Sequence, residues 1–328
     1  MPTPSAPPEG AVARFRDDVA QLIGEPGNSR FGLAVSGGPD SLALLLLANA
    51  AFPGQVLAAT VDHGLRPDSR LEADYVGEIG KALGVKHFVT TVALAPGGNL
   101  QARARRARYH ALRGWIASAS VDWLMTGHHA DDQLETLVMR LNRSSGVGGL
   151  AGIRRRDGVL LRPLLGWRRA ELGEIVAGCG LNAVQDPSNE DERFDRARLR
   201  RELASADWLD ALSASWSASA LADADDALDH HARHAYDDCV AEGDAKCVIT
   251  LATLREQPLE TRRRVLLRAF EHAAPGIEVR EATLAMAIDA IETRRKVSVG
   301  PLTVAVNGEY ILVQCAPPRR APPLLADA

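Results

Sequence analysis

The chain has 328 residues and is 46% apolar, enough for a large core and for about two domains. Its formal net charge of −4 excludes a globally basic coat. Its four scattered cysteines (Cys179, Cys239, Cys247, Cys315), with no C-x-x-C pair, exclude a disulfide framework, a zinc ribbon and a four-cysteine iron–sulfur site. That cysteine usage fits a reducing cytosol, so a cytoplasmic location is expected. No apolar stretch reaches the roughly 18 residues of a membrane span, so no membrane partner is expected.

Residues 1–10 are Pro-rich and read as a disordered lead, and 317–328 read as a disordered tail. Residues 11–23 have helical spacing. The run 31–36 is a short apolar strand and "DSLALLLLANAA" a helix. Strands follow at 55–63, 86–94 and 122–128, with helices at 68–84, 99–118 and 130–143 between and after them. Strands alternating with helices mean βαβ units and a parallel sheet covered on both faces. "VLLRPLLGWRRAELGEIVAGCG" adds a strand-like piece and a helix ending at Gly178 or Gly180.

The character changes after about 202. Ala-rich helical spacing with almost no β-branched residues predicts a separate helical module over 205–275. Residues 296–314 alternate and contain Asn-Gly, a hairpin signal. The expected fold is α/β. A doubly wound parallel sheet over 11–204 is followed by a smaller helical domain over 205–275 and a short β-hairpin region over 276–316.

Charge is distributed unevenly. Residues 101–201 hold 18 Arg against 12 acidic residues, whereas 202–240 hold one Arg against nine. The Arg-rich third suits a polyanion. A chain with few lysines also reaches that count by using Arg in their place.

The chemistry centres on "SGGPDS", Ser36, Gly37, Gly38, Pro39, Asp40 and Ser41, between the first strand and its helix. Two glycines turn the backbone and expose N–H groups, and Pro39 presets the helix entrance. Together they form an anion nest at a helix N-terminus, where the carboxyl end of a parallel strand places ligands. A chance match to Ser-Gly-Gly-x-Asp-Ser in a chain this long is on the order of a few in ten thousand. The chain lacks G-x-x-x-x-G-K-[ST], which excludes a P-loop kinase or GTPase cradle.

Six further stretches accompany that loop: "VDHGLR" (61–66), "ARRARY" (104–109), "TGHHADDQLET" (126–136), "GVGGLAGI" (146–153), "RPLL" (162–165), and "DPSN" with "FDRARLR" (186–200). In this order they resemble the tRNA(Ile)-lysidine synthase family, within the N-type ATP pyrophosphatase or PP-loop superfamily. The resemblance is strong over roughly 30–201 and weak over 202–275. It departs at Arg196-Ala197, where the family has Arg-Asn, and in a C-terminal region shorter than that of the longer members.

The resemblance implies an adenine nucleotide alpha hydrolase-like, Rossmann-like fold. It also implies an ATP-dependent ligase that attaches free lysine to C2 of the wobble cytidine in the CAU anticodon of isoleucine tRNA. An adenylated cytidine is the intermediate, AMP and pyrophosphate are released, and the family suggests a homodimer. Ser36–Ser41 are expected on pyrophosphate, Asp40 acting through Mg²⁺, and Asp62 and His63 near adenosine. Asp132 and Glu135 are expected on lysine or metal, and His128 as a phosphate or base contact. On a helix, Asp131 and Glu135, or Asp132 and Glu135, can share a face. Arg105 and Arg108 are expected to point at ATP or anticodon phosphates. Arg154, Arg155, Arg196, Arg198 and Arg200 are expected on tRNA, and the helical module is expected to bind tRNA or substrate.

His129 by itself reads as structural, and His230, His231 and His234 as part of an acidic exposed helix. Alternatives are a PP-loop tRNA thiolase, which generally uses paired cysteines, a glutamine-fed synthetase, and a non-catalytic nucleotide-binding paralogue.

Overall fold

The computed structural model describes residues 3–62, 64, 69–92, 100–184 and 195–316. The chain divides into two compact units, Met1–Ala222 and Asp223–Ala328. His63, the "DPSN" stretch, the Pro-rich tail and the side chains of Arg196 and Ala197 lie outside what is described.

The first unit is built on β1 (Phe31–Ala34), β2 (Val56–Asp62), β3 (Lys86–Thr91), β4 (Trp123–Thr126), β5 (Arg156–Asp157) and β6 (Leu160–Leu161). Their order is β3-β2-β1-β4-β6-β5. All neighbours run parallel except β5, which pairs antiparallel with β6. The order reverses between β1 and β4, so the loops leaving these two strands face one crevice, where open α/β sheets bind ligands. The central strand β1 is buried along its whole length, as a strand covered on both faces must be.

Around the sheet lie α1 (Glu9–Ile23), α2 (Pro39–Ala51), α3 (Ser69–Leu83), α4 (Leu100–Ser118), α5 (Ala130–Leu141), α6 (Val147–Leu150), a 3₁₀ turn (Pro163–Gly166), α7 (Arg169–Gly178) and α8 (Asp195–Ala204). The core on one face joins Phe15, Phe31, Leu33, the Leu42–Leu47 run, Ile79 and Trp167. Helix α2 is apolar around its circumference because it is wrapped on all sides. The opposite face is covered by Leu112, Trp115 and Ile116 of α4 against Ala34, Leu57, Ala59 and Leu124.

The long helix α9 (Ala211–Cys239) runs through the division between units. The second unit adds β7 (Val240–Gly243), β8 (Lys246–Thr250), α10 (Leu251–Glu256), α11 (Leu259–Ala273), α12 (Glu281–Glu292), β9 (Val297–Val299), β10 (Leu302–Asn307) and β11 (Tyr310–Cys315). Its strands form a sheet in the order β7-β8-β11-β10-β9, with β10 and β11 joined at Gly308 as the Asn-Gly signal predicts. The stretch read as a helical module therefore also contains two strands, β7 and β8, and β8 pairs with β11. Val248, Ile249 and Thr250 supply the β-branched residues that are almost absent from 202–240. Cys247, Ile249, Leu302, Val304, Ile311 and Val313 alternate inward against Val265, Phe270, Leu284 and Ile291 of α11 and α12.

One half-buried imidazole ties the sheet edge together. Thr60 donates its hydroxyl to the Val35 carbonyl at 2.7 Å and lies 2.8 Å from His87 Nε2. With its proton committed, the threonine oxygen accepts, so His87 carries its proton on Nε2. Burial lowers the His87 pKa, against an opposing effect of the Asp74 charge. The native ring is thus stabilised neutral. That stabilisation is full above the unfolded value of about 6.5 and is lost as pH falls through the lower native value. The urea midpoint of the wild type is expected to drop between about pH 7 and 5 more steeply than that of His87→Gln; parallel profiles would contradict this.

Candidate active site

The loop after β1 takes the conformation its residues dictate. Gly37 has φ +87°, a left-handed angle that only glycine adopts without strain, and Gly38 is the extended residue before α2. Ser41, in the first turn, braces the loop. Its Oγ accepts the Ser36 N–H at 3.1 Å and donates to the Gly38 carbonyl at 2.9 Å. The Gly37 carbonyl accepts the Val184 N–H at 3.0 Å. The result is a fixed turn ahead of the positive end of α2, a geometry of the kind that suits an anion.

The loop after β4 closes on it. A β-carbon at Gly127 would lie 2.9 Å from the Asp40 carbonyl oxygen, so only glycine lets these two backbones meet. Next, Thr126 Oγ1 lies 2.8 Å from His128 Nδ1, which orients the half-buried His128 ring.

His129 is the hub. Its ring is buried, with Nε2 3.5 Å from both Asp40 Oδ2 and Asp132 Oδ2, and Nδ1 3.5 Å from Asp131 Oδ2. Burial disfavours the charged ring, but hydrogen bonds to Asp131 and Asp40 and the charges of Asp132 and Asp40 outweigh it, raising the pKa to about 10. The ring also sits at the N-terminus of α5, where the Asp132 N–H lies 3.4 Å from Nδ1. A protonated Nδ1 cannot accept that bond, so the carboxylates govern the ring and the long amide contact is secondary.

The acids of α5 divide their work. Asp131 turns toward α7, where its Oδ2 accepts the Arg169 N–H at 2.8 Å and its Oδ1 accepts from Arg168 at 3.2 Å. Burial opposes ionisation of Asp131, yet the His129 ring, the Arg169 amide and Arg168 prevail and hold it well below the usual carboxylate range. Glu135 is 3% exposed and takes a fork from Arg200 of α8, at 2.6 Å to Oε1 and 3.2 Å to Oε2. Asp132 Oδ1 lies 3.9 Å from the same guanidinium. The Glu135 hydrogen bond raises the Arg200 pKa against the effect of burial, with the charges of Glu135, Asp132 and Asp40 adding to it. Gln133 holds the glycine-rich stretch by accepting the Ile153 N–H at 2.7 Å and donating to the Ala151 and Ile153 carbonyls.

The structure thus brings together Ser36–Ser41, Asp40, His128, Asp132, Glu135 and Arg200. Arg200, expected on tRNA, lies in the acid cluster instead of presenting a free surface charge. Asp62 uses Oδ1 to accept from the Gly64 N–H at 2.8 Å and the Ser69 hydroxyl at 2.6 Å. Arg105 lies over the Tyr109 ring at 5.1 Å, and burial lowers the Arg108 pKa against the opposing effect of Tyr109. Arg155 reaches Asp18 at 3.4 Å and Arg154 donates to the Ala222 carbonyl at 2.8 Å, so both serve packing within the unit. Arg198 is exposed.

The comparisons accord with this geometry. The PP-loop domain family matches residues 12–206, more than half of the chain. A tRNA(Ile)-lysidine synthase of Zymomonas mobilis is 37% identical over 316 residues, covering 93% of this chain and 94% of that protein. The chain belongs to the tRNA(Ile)-lysidine synthase family.

A second lysidine synthase, of Novosphingobium aromaticivorans, is 48% identical over 227 residues, 67% of this chain and 69% of its own length. Among solved structures, a U34-tRNA thiolase of Methanococcus maripaludis superposes with a TM-score of 0.52 at 16% identity, covering 64% of this chain and 78% of that one, a likeness of fold. As a lysidine synthase, the chain is an ATP-dependent ligase. No helix among its described residues is long and apolar enough to cross a membrane.

Substitutions at two positions test this lysidine synthase site. Arg200→Ala removes the fork from a buried carboxylate and is expected to cost about 2–5 kcal/mol in urea unfolding. Arg200→Lys should recover less than half of that loss, since an ammonium cannot fork; full recovery would show that charge alone matters. Gly127→Ala should weaken ATP binding at least ~10-fold by pushing the two loops apart. Unchanged ATP affinity would mean that the close approach is dispensable.

Proposed function

We propose that the crevice between β1 and β4 performs both halves of the lysidine reaction. In the first half, the C2 oxygen of the wobble cytidine in the CAU anticodon attacks the α-phosphorus of ATP, and the α–β phosphoanhydride breaks to release pyrophosphate. In the second, the ε-amine of free lysine loses its extra proton to an acid and attacks C2; the C2–O bond breaks and AMP leaves carrying the former C2 oxygen.

The observation that carries this reading is the single His129 ring touched by Asp40 from the nucleotide loop and by Asp131 and Asp132 from α5. A phosphate cradle and carboxylates suited to an amine are thereby held side by side. The loop amides and the N-terminus of α2 supply fixed positive potential for the departing pyrophosphate.

Asp40 Oδ1 is buried and makes no hydrogen bond, an acceptor suited to a cation. Mg²⁺ is ordinarily held by one or two carboxylates together with substrate phosphates, and Asp40 would hold it here. When bound, that ion neutralises charge developing on the phosphates.

Glu135 is engaged by the Arg200 fork, so Asp132, the more exposed of the two acids, is the better proton acceptor for the incoming ammonium. His129, held as an imidazolium, fixes where Asp40 and Asp132 point.

The test is incubation with ATP, lysine and isoleucine tRNA bearing CAU, followed by mass analysis of the wobble nucleoside. The wild type is expected to yield lysidine, and an unmodified cytidine would overturn the reading. Asp40→Asn should lower product formation by at least ~100-fold with the circular dichroism of the fold retained. Near-normal lysidine from that variant would remove Asp40 from the chemistry.

A further inference from the structure

Of the five tryptophans in the chain, two stand almost fully in solvent: Trp208 is 78% exposed and Trp216 is 75% exposed. Large aromatic side chains left in water are uncommon without a partner, because each withholds a large apolar area from burial. The two are fixed to the active-site unit. Leu209, Leu212 and Ala214, at the start of α9, pack with Ala211, with Leu203 of α8 and with Ala130, Leu134 and Val138 of α5. Trp208 precedes Leu209 directly, and Trp216 stands four residues beyond Leu212. The same α5 that carries Asp132 and Glu135 thus shares an apolar seam with the residues next to the tryptophans in sequence, and the same α8 carries Arg200 to Glu135.

The surroundings identify the occupant. From 211 to 222 α9 carries no charge. The helices that share its apolar seam carry exposed arginines: Arg140 near the end of α5, Arg143 just beyond it, and Arg198 and Arg201 on α8. Asp207 and Asp210 flank Trp208 in the sequence, so the arginines come from the adjoining helices, and exposed rings with guanidinium groups on neighbouring helices match single-stranded nucleic acid, whose bases stack on rings while its phosphates meet guanidinium groups. The chemistry of the site creates the need. Reaction at C2 of a loop base requires that base to leave its stack, and its neighbours then lose a stacking partner.

We propose that Trp208 and Trp216 form a stacking platform for unpaired anticodon-loop bases of the tRNA substrate, beside the crevice and distinct from the phosphate contacts. This inference rests on the tRNA substrate of the proposed function.

The experiment measures tRNA affinity by filter binding at several salt concentrations for the wild type, Trp208→Ala, Trp216→Ala, the double alanine variant and the corresponding Phe variants. Each alanine is expected to weaken binding ~5- to 100-fold with an unchanged slope of log Kd against log salt. Phe should restore most of the affinity, and ATP binding and the melting temperature should stay as in the wild type. Arg198→Ala, in contrast, should reduce the salt slope by about one.

Wild-type tRNA binding that the alanine variants match would overturn the platform and leave the proposed function standing. A wild type that neither binds tRNA nor makes lysidine would overturn both. Sedimentation showing that the alanine variants turn a dimer into a monomer, at unchanged tRNA affinity per protomer, would assign the surface to a second copy of the chain and overturn the platform.

Discussion

A buried positive charge among carboxylates governs this active site. Three acids from two different helices meet the His129 ring within 3.5 Å, and without a cation there they would repel one another across a space with little water. The ring therefore does two things. It ties the first turn of α2 to the first turn of α5, and it sets the direction of the Asp40 and Asp132 carboxylates. Arg168 and Arg200 extend the same balance outward, to α7 through Asp131 and to α8 through Glu135. Arg168 also reaches Asp210 at 3.5 Å.

The balance works only because the backbone brings its members close. Gly127 lets the chain leaving β4 touch the first turn of α2, and Gly37, at φ +87°, turns the loop that leads into that helix. The sheet order supplies the rest, because β1 and β4 are parallel neighbours at the point where the strand order reverses. The crevice is thus a consequence of topology, and the charges are arranged within it.

Arginine is used here in two different ways. The excess over 101–201 looks, as composition, like a polyanion surface. Yet Arg155 is spent on Asp18, Arg168 on Asp131 and Arg200 on Glu135. Each pair holds together elements far apart in sequence, and Arg is suited to this because its planar fork satisfies a carboxylate in a low-dielectric setting. Arg140 and Arg143 stand exposed at the end of α5.

Much was determined by local sequence alone. The apolar β1, the Gly-Gly-Pro loop and the all-apolar α2 follow from residue types a few positions apart, and the alternation of strands and helices implies the doubly wound sheet. The PP-loop residues Ser36–Ser41 were readable because a nest at a helix N-terminus is itself a local structure. What spacing could not supply was partnership. His129 looks structural beside His128 because nothing in "GHHADD" says that Asp40, 89 residues earlier, lies against its ring. Arg200 looks like a tRNA contact until Glu135 is found 65 residues away and 2.6 Å distant. Strands β7 and β8 were missed for a similar reason, since they are stabilised as strands by pairing with β11 and by the helices packed on that sheet. Local propensity determines which element forms, and the sign and position of a buried charge depend on which distant groups the fold delivers to it.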